Sequence, residues 1–426
     1  MLTTNFIRSN IELVKEGLKK RNFSDDNLSI LQEIIDLDDL RKSQQTKLDE
    51  YLSEINKMSG QIGQLYKEGK RDEADALKDN VAKIKENSKG LEENAKQTKI
   101  ELEEKLLSVP NVPNQLVPNG NSEEDNEVFK AWEGKMPDLT DGAKPHWEIT
   151  EQFDLIDFKL GAKLTGSGFP VYKGKGAKLQ RALISFFLDE AENAGYLEIM
   201  PPLMVNEATA RGTGNIPDKE GQMYHVEKDD LYLIPTAEVP VTNVYAGKII
   251  GKDEFPIKMT GYTPCFRREA GSYGSDVKGL NRLHQFDKVE IVQIAHPDKS
   301  YKILDKMLLH VEGLLTKLEL PYRILRLCAG DLSATSALTY DFEVFSAAQK
   351  RWLEVSSVSN FETYQSNRMK IRYKDEKGKT QLVHTLNGSA LALPRIVAAL
   401  LENHQTADGV NIPEALRSYT RFDKIN

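Results

Sequence analysis

Apolar residues in the first quarter of the chain recur at alternating spacings of three and four, with polar residues between them. Leu48, Tyr51, Ile55, Met58, Ile62 and Leu65 form one series; Leu77, Val81, Ile84, Ser88, Leu91, Ala95, Thr98 and Leu102 form a second. This spacing lays one narrow stripe along a helix, the a/d seam of a coiled coil. The intervening KEGKRDEAD (67–75) is polar and Gly69 interrupts the pattern, so the two helices are predicted to double back as an antiparallel hairpin. Running from about 28 to 105, the hairpin would have arms of roughly 50 Å or more at about 1.5 Å per residue. Ser88, Ala95 and Thr98 are too small or polar for a globular core, so the hairpin is expected to project into solvent. Heptads alone suit a structural or dimerising coiled coil as well as an arm laid along RNA. Lys78, Lys83, Lys85, Lys89, Lys96 and Lys99 supply basic charge, but the interleaved glutamates dilute it.

The texture changes at VPNVPNQLVPNG (109–120), which is rich in Pro and Asn and has no periodicity. It reads as a linker or domain-entry segment, taken as 111–120, between a helical domain (1–110) and a globular one (121–426). In the globular part, β-branched and apolar runs at 231–235, 288–294, 322–327 and 340–346 predict strands. Residues 177–194 and 300–318 predict amphipathic helices, and 391–405 a buried one. Many strands interrupted by few helices favour an α+β fold with a largely antiparallel sheet. The Gly-rich stretch 161–178 fits neither G-x-x-x-x-G-K-[ST] nor G-x-G-x-x-G and is read as turns.

Composition narrows the function classes. The 426 residues are 39% hydrophobic and 29% charged, which suits a soluble protein with an unusually polar helical part. Cys265 and Cys328 are the two cysteines; with no C-x-x-C spacing they support neither a disulfide framework nor a cysteine zinc site, and a reducing cytoplasm is the expected compartment. The N-terminus lacks the apolar core of a secretory signal, and no stretch is long enough to span a membrane. A net charge of −8 argues mildly against a generic nucleic-acid binder, although phosphate contacts depend on local patches.

The candidate chemistry centres on TPCFRREAGSYGSDVKGLNRLHQFDKVEI (263–291), a strand, a long Gly/Ser/Asp loop and a returning strand. Arg267 stands where the first strand ends, placed to grip a phosphate; Phe286 opposite it can stack on a purine; Glu290 lies on the return. Residues 266–291 resemble motif 2 (263–291) of class II aminoacyl-tRNA synthetases in the form found in seryl-tRNA synthetases, FR-x-E-A-G-S-[FY]-G-x-D-x-x-G-x-x-R-x-H-Q-F. The helix 178–194 followed by GYLEIMPPL, with Pro202, resembles motif 1 (178–204). NGSALALPRIVAALLEN (387–403), with Arg395, resembles motif 3. Thr236, Ala237 and Glu238 match the family's T-x-E element; Glu354, Val355, Ser356 and Ser357 match its E-[IV]-S-S element. The helical hairpin is a family hallmark as well, so the resemblance spans essentially the whole chain. One departure is ALALPR where many bacterial members have G-L-A-V-G-R: Pro394 disfavours helical geometry at residue 393 and leaves the start of that helix open.

The resemblance implies a serine–tRNA ligase reaction using ATP and Mg²⁺, without zinc. Arg267 would bridge the α-phosphate and the serine carboxylate, and Arg395 would hold the γ-phosphate. Arg268 falls within the ATP site, Glu269 and the backbone at Leu283 would meet adenine, and Phe286 would stack on it. Glu354 and Ser357 would hold Mg²⁺, with Val355 and Ser356 between them. Thr236, Ala237, Glu238, Glu290, Asn387 and Ser389 would line the L-serine site, Thr236 and Glu238 mainly at the ammonium, Glu290 and Ser389 at the hydroxyl. The motif 2 loop, with Lys278 and Arg282, would follow the acceptor end of tRNA-Ser, and the arm its long variable region; tRNA-Sec stays open as a second acceptor. A homodimer and no membrane association are also implied. Two rivals remain: a relative loading a carrier protein, against which the arm argues, and a binding protein on a dead scaffold, against which Arg267, Glu269, Glu290, Glu354 and Arg395 argue. The zinc-dependent archaeal form is opposed by the absence of a cysteine ligand set.

Overall fold

The computed structural model describes residues 1–137, 139, 142–218, 221–269 and 278–426. The chain divides into two units, Met1–Pro110 and Asn111–Asn426. In the first, helix α1 (Thr4–Ser9) starts at Thr3, whose hydroxyl accepts the Phe6 N–H at 3.0 Å. Helix α2 (Ile11–Lys20) buries Val14, Gly17 and Leu18. Helices α3 (Ser29–Lys67) and α4 (Arg71–Ser108) form the long hairpin. Every seam residue predicted between Leu48 and Leu102 is wholly or partly withdrawn from water, while nearly everything between is exposed. The reversal uses Gly69 at φ +79°, a backbone region that glycine enters without steric cost. At the tip the Tyr66 hydroxyl donates to Asp75 at 2.6 Å. Near the base Leu31, Ile34, Leu102 and Leu106 are buried. Asp38, 1% exposed, is ringed by Lys42 at 2.6 Å, Arg41 at 2.7 Å and Arg8 at 3.6 Å.

The second unit is built on an eight-stranded sheet, with strands β1 (Glu127–Lys130), β2 (Leu197–Glu198), β3 (Ile257–Phe266), β4 (Gln285–Ala295), β5 (Tyr322–Arg326), β6 (Leu338–Ser346), β7 (Arg351–Asn360) and β8 (His384–Ala392). Their order is β1-β5-β6-β7-β8-β4-β3-β2, antiparallel throughout except for the edge strand β2, which runs parallel to β3. The α+β, mainly antiparallel expectation is therefore met. Helices α5 (Gly174–Asn193), α7 (Ser300–Lys317) and α8 (Leu393–Asn403) pack against one face, over a core that includes Val289, Ile291, Phe342, Val344 and Val358. Side chains alternate along a strand, so Phe286, Lys288 and Glu290 of β4 point to the opposite face. There the short helix α6 (Glu238–Asn243) covers Val292, Ile294 and Met259 and leaves the neighbouring strand positions for the site.

Two readings of the sequence need correction. The stretch 161–178 is not all turn: Phe158–Leu164 is helical and α5 already begins at Gly174. Two of its glycines serve close packing, since a Cβ on Gly161 would sit 1.8 Å from the Phe169 carbonyl oxygen and one on Gly176 would sit 2.2 Å from that of Leu155. The buried helix does not begin at 391: β8 continues to Ala392 and α8 starts at Leu393, with Pro394 in the first turn, where the missing N–H has no intrahelical partner to lose. The Pro/Asn-rich segment is hydrogen-bonded within the second unit from Asn111 onward. Asn111 and Asn114 donate their backbone N–H groups to Ala334 and Ala337, both at 2.8 Å, and the Asn111 side chain bridges the Thr335 and Phe361 carbonyls at 3.0 and 2.9 Å.

Candidate active site

Register brings the polar residues together. Glu290 on β4 faces Gly261 of β3 on one side and Ser389 of β8 on the other. Gly261 allows a close approach: a Cβ there would sit 2.8 Å from the Ile199 carbonyl oxygen. The Glu290 carboxylate accepts from the Thr236 hydroxyl at 3.0 Å and from Lys288 Nζ at 2.8 Å, and all three residues are buried. The Thr236 hydroxyl in turn accepts the Glu238 N–H at 3.2 Å. Glu238 accepts from the Gln365 amide at 2.7 Å and has Asn387 beside it. Loss of water and then the nearby Glu290 carboxylate push the Glu238 carboxyl up to about 7; Gln365, Lys288 and Asn387 oppose the rise. Ala237, 0% exposed, packs in the core below. The result is a small polar cup holding two carboxylates and one ammonium.

Beside it stands the 263–291 hairpin, whose tip (270–277) lies outside the described residues. The Arg267 N–H donates to the His284 carbonyl at 2.9 Å and closes the strand pair; its guanidinium donates to the Pro235 carbonyl at 3.3 Å and lies 5.3 Å from the centre of the Phe286 ring. Pro235 precedes Thr236, so one backbone turn links this arginine to the polar cup. Arg268 turns away, donating to the Met223 carbonyl at 3.1 Å and lying 4.6 Å from the Tyr224 ring centre. Glu269, at φ +49°, pairs with Arg282 at 3.2 Å. Leu283 is buried, and next to it His284 stacks on Phe169 at 5.4 Å and meets the Tyr224 hydroxyl at 2.8 Å. Arg395, in the first turn of α8, donates to the Asn281 carbonyl at 3.1 Å and the Glu354 carbonyl at 2.6 Å, with 3.7 Å to the Glu354 carboxylate.

A bulge places the last group. Between β6 and β7, Ser357 faces Asp341 and Ser356 faces Phe342, but Glu354 faces Glu343, so Val355 is the extra residue. Glu354 and Ser357, three apart, thereby reach the same side of the sheet, whereas Val355 and Ser356 turn to the core side. Ser356 donates to the Ser389 carbonyl at 2.6 Å, and Ser357 donates to Asp341. Burial first, then the Glu354 carboxylate, raises the Asp341 carboxyl well above its usual range. These donors are all hard oxygens, and the Glu354 side chain is 51% exposed. Such a set fits Mg²⁺, which takes one or two carboxylates and completes its shell with phosphates and water. Among the described residues, no group of three or more His, Cys, Asp and Glu is arranged to hold a metal ion.

Thus Thr236, Glu238, Glu290, Asn387 and Ser389 of the proposed serine site share one cup, with Ala237 in the core below and Arg267 and Phe286 beside it, while Arg395 joins Glu354 to Asn281. Lys288 and Asp341 escaped the sequence reading. Each is a lone residue in a strand, and its significance comes from pairing that only the register creates.

The antiparallel sheet, with an arginine beside an aromatic ring on its strands and a second arginine at a helix start, is that of a class II aminoacyl-tRNA synthetase core. Residues 223–404 match the family described as tRNA synthetase class II core domain (G, H, P, S and T), and residues 1–113 the seryl-tRNA synthetase N-terminal domain. The chain is 51% identical over 427 residues to the serine–tRNA ligase of Salinibacter ruber, covering 100% of this chain and 99% of that one. It is 45% identical to the serine–tRNA ligase of Chlorobaculum parvum, with 100% of both chains covered. Among solved structures, seryl-tRNA synthetase from Pyrococcus horikoshii complexed with ATP superposes with a TM-score of 0.87 at 34% identity, covering 100% of this chain and 99% of that one. The chain belongs to the seryl-tRNA synthetase family.

Proposed function

We propose that the chain activates L-serine with ATP and Mg²⁺ and transfers it to the 3′ end of tRNA-Ser. The observation that carries this reading is the convergence of Thr236, Glu238, Glu290, Asn387 and Ser389 on one buried polar cup beside Arg267. A cup lined with hydrogen-bonding groups rejects a ligand lacking the hydroxyl, because alanine leaves those groups unpaired. Threonine is rejected by bulk.

In the first half-reaction a serine carboxylate oxygen attacks the α-phosphorus. The bond from that phosphorus to the oxygen bridging to the β-phosphate breaks, and diphosphate leaves. Both reactants are anionic, so neutralising and aligning them does most of the catalysis. Arg267, held by the Pro235 carbonyl, reaches carboxylate and α-phosphate together; Phe286 stacks on adenine, Glu269 and the Leu283 backbone meet its edge, and Arg395 holds the γ-phosphate so that ATP bends. Mg²⁺, when bound by Glu354 and Ser357, offsets charge on the phosphates. In the second half-reaction the terminal 3′-hydroxyl attacks the seryl carbonyl carbon and AMP leaves.

For tRNA, the reading rests on the arm. Lys78, Lys83, Lys85, Lys89, Lys96 and Lys99 are all exposed along α4, available to a phosphate backbone that is read by shape. Lys278 and Arg282 stand at the base of the hairpin for the acceptor end. For a homodimer, the support is a run of exposed apolar side chains from the edge strand onward: Leu197 of β2 is 65% exposed, Met200 88% and Met204 46%. No helix of the described residues is long and apolar enough to cross a membrane, and cytoplasmic location belongs to the same proposal. Pyrophosphate exchange measured with each of the twenty amino acids tests the reading. Serine is expected to dominate; preference for another amino acid, or no exchange at all, would overturn it.

A further inference from the structure

The serine cup holds a charge that the proposed chemistry leaves unused. Lys288 is 6% exposed, and its ammonium lies 2.8 Å from Glu290 Oε2. On β4 it projects to the site face two residues before Glu290, opposite Thr263 of β3. Around it stand Glu290 on its own strand, Glu238 on α6, Cys265 on β3 and Arg267 just past the end of β3. A lysine is rarely buried without a partner, and a buried pair holds only while both members keep their charge and hydrogen bonds. Its partner is one of two carboxylates in the same small cup. Glu290 holds the buried ammonium, whereas Glu238 is held by the neutral Gln365 amide.

Resting on the serine-activation reading, we propose that Lys288 is a positioning residue that assigns the two glutamates their roles. With Lys288 and the Thr236 hydroxyl both on Glu290 Oε2, that carboxylate is satisfied as an anion and its other oxygen is left as an acceptor for the substrate hydroxyl. Glu238 is then the carboxylate without a built-in cation, and it takes the substrate ammonium. Lys288 therefore excludes the reversed amino acid, with its ammonium on Glu290, because two ammonium groups would crowd one carboxylate. Specificity for a hydroxylated amino acid arises partly from this repulsion.

The test is adenylate formation by the full-length Lys288→Met variant with serine and alanine, alongside a thermal melt. The KM for serine is expected to rise on the order of a hundredfold, and the preference for serine over alanine to fall about tenfold or more, with the KM for ATP nearly unchanged. A folded variant that keeps the wild-type serine KM and serine-to-alanine ratio overturns the proposal, whereas failure of the wild type to activate serine overturns the functional reading beneath it. Should Lys288→Met not fold, the comparison moves to Glu290→Gln with and without Lys288→Met. A neutral amide has no use for a buried ammonium, so the double variant is expected to activate serine better than Glu290→Gln alone. Equal or poorer activity of the double variant overturns the proposal, because a purely structural lysine would give that result.

Discussion

Glu402, near the end of α8, accepts both the backbone N–H and the ring Nδ1–H of His146, at 3.0 and 2.8 Å. The other ring nitrogen, Nε2, accepts the N–H of Leu280 at 2.9 Å, which fixes the tautomer from the hydrogen-bond pattern. Leu280 lies where the 263–291 hairpin re-enters the fold, so the motif 3 helix and the base of motif 2 are joined through one fully buried imidazole. Gly279 leaves room for the ring: a Cβ there would come within 2.2 Å of Nε2. Replacing His146 by Ala strands the Leu280 N–H and the Glu402 carboxylate, so a loss of about 2–4 kcal/mol is expected in chemical denaturation. The KM for ATP should rise with it, since Asn281 and Leu283 are neighbours of Leu280. Unchanged stability would mean that water replaces the ring at no cost.

Serine binding should depend on pH through Glu238. Its carboxyl, raised to about 7, is protonated below that pH and ionised above it in the empty cup. If it receives the substrate ammonium, the protonated form must lose its proton first. The KM for serine should therefore fall as pH rises from 6 to 8, by up to about tenfold per unit below 7. Glu238→Gln should flatten that profile while weakening binding. A wild-type profile that is flat over this range would remove Glu238 from the ammonium.

Magnesium dependence should report on the bulge. Glu354→Gln keeps the shape of the side chain and removes its charge, and the Mg²⁺ concentration giving half-maximal exchange should increase about tenfold or more. A variant with wild-type Mg²⁺ response would detach Glu354 from the metal.

Arg267→Ala should abolish serine-dependent exchange, a loss on the order of a thousandfold, because neither lysine nor water offers a planar fork to two anions at once. Arg267→Lys should recover little. Near-normal exchange in either would refute the bridging role.

Removal of residues 35–100, with the ends rejoined by a short flexible loop, should spare adenylate formation and destroy charging of tRNA-Ser. Exchange and aminoacylation assays on the same preparation check this. Loss of both activities together would give the arm a different role.

Much of the fold was legible wherever one physical rule acted alone. In the arm a single stripe of burial sets the pattern, and the predicted seam residues from Leu48 to Leu102 are the withdrawn ones, with Ala74 the one addition. The strand runs at 288–294 and 340–346 lie inside β4 and β6 for the same reason. The reading went astray where glycine served two purposes. Gly161 and Gly176 look like turn residues, yet they sit in helices that pressed backbone would otherwise exclude. In the site, residues carried by contiguous motifs could be named in advance. His146, Lys288 and Asp341 could not, because a lone His, Lys or Asp has no local signature: His146 meets a partner 256 positions away, and Ser357 reaches Asp341 only across paired strands.

The seam of the hairpin also makes its length a matter of counting. Each apolar layer touches only the layers above and below it, so the span is a stack of interchangeable storeys. Taking seven residues from each helix at facing heights would draw Gly69 back by roughly 10 Å and leave every remaining storey closed. Taking three from one helix alone would rotate its later storeys to face water. The distance at which this protein can touch a partner is thus adjustable in discrete steps, without any change to the chemistry of the sheet.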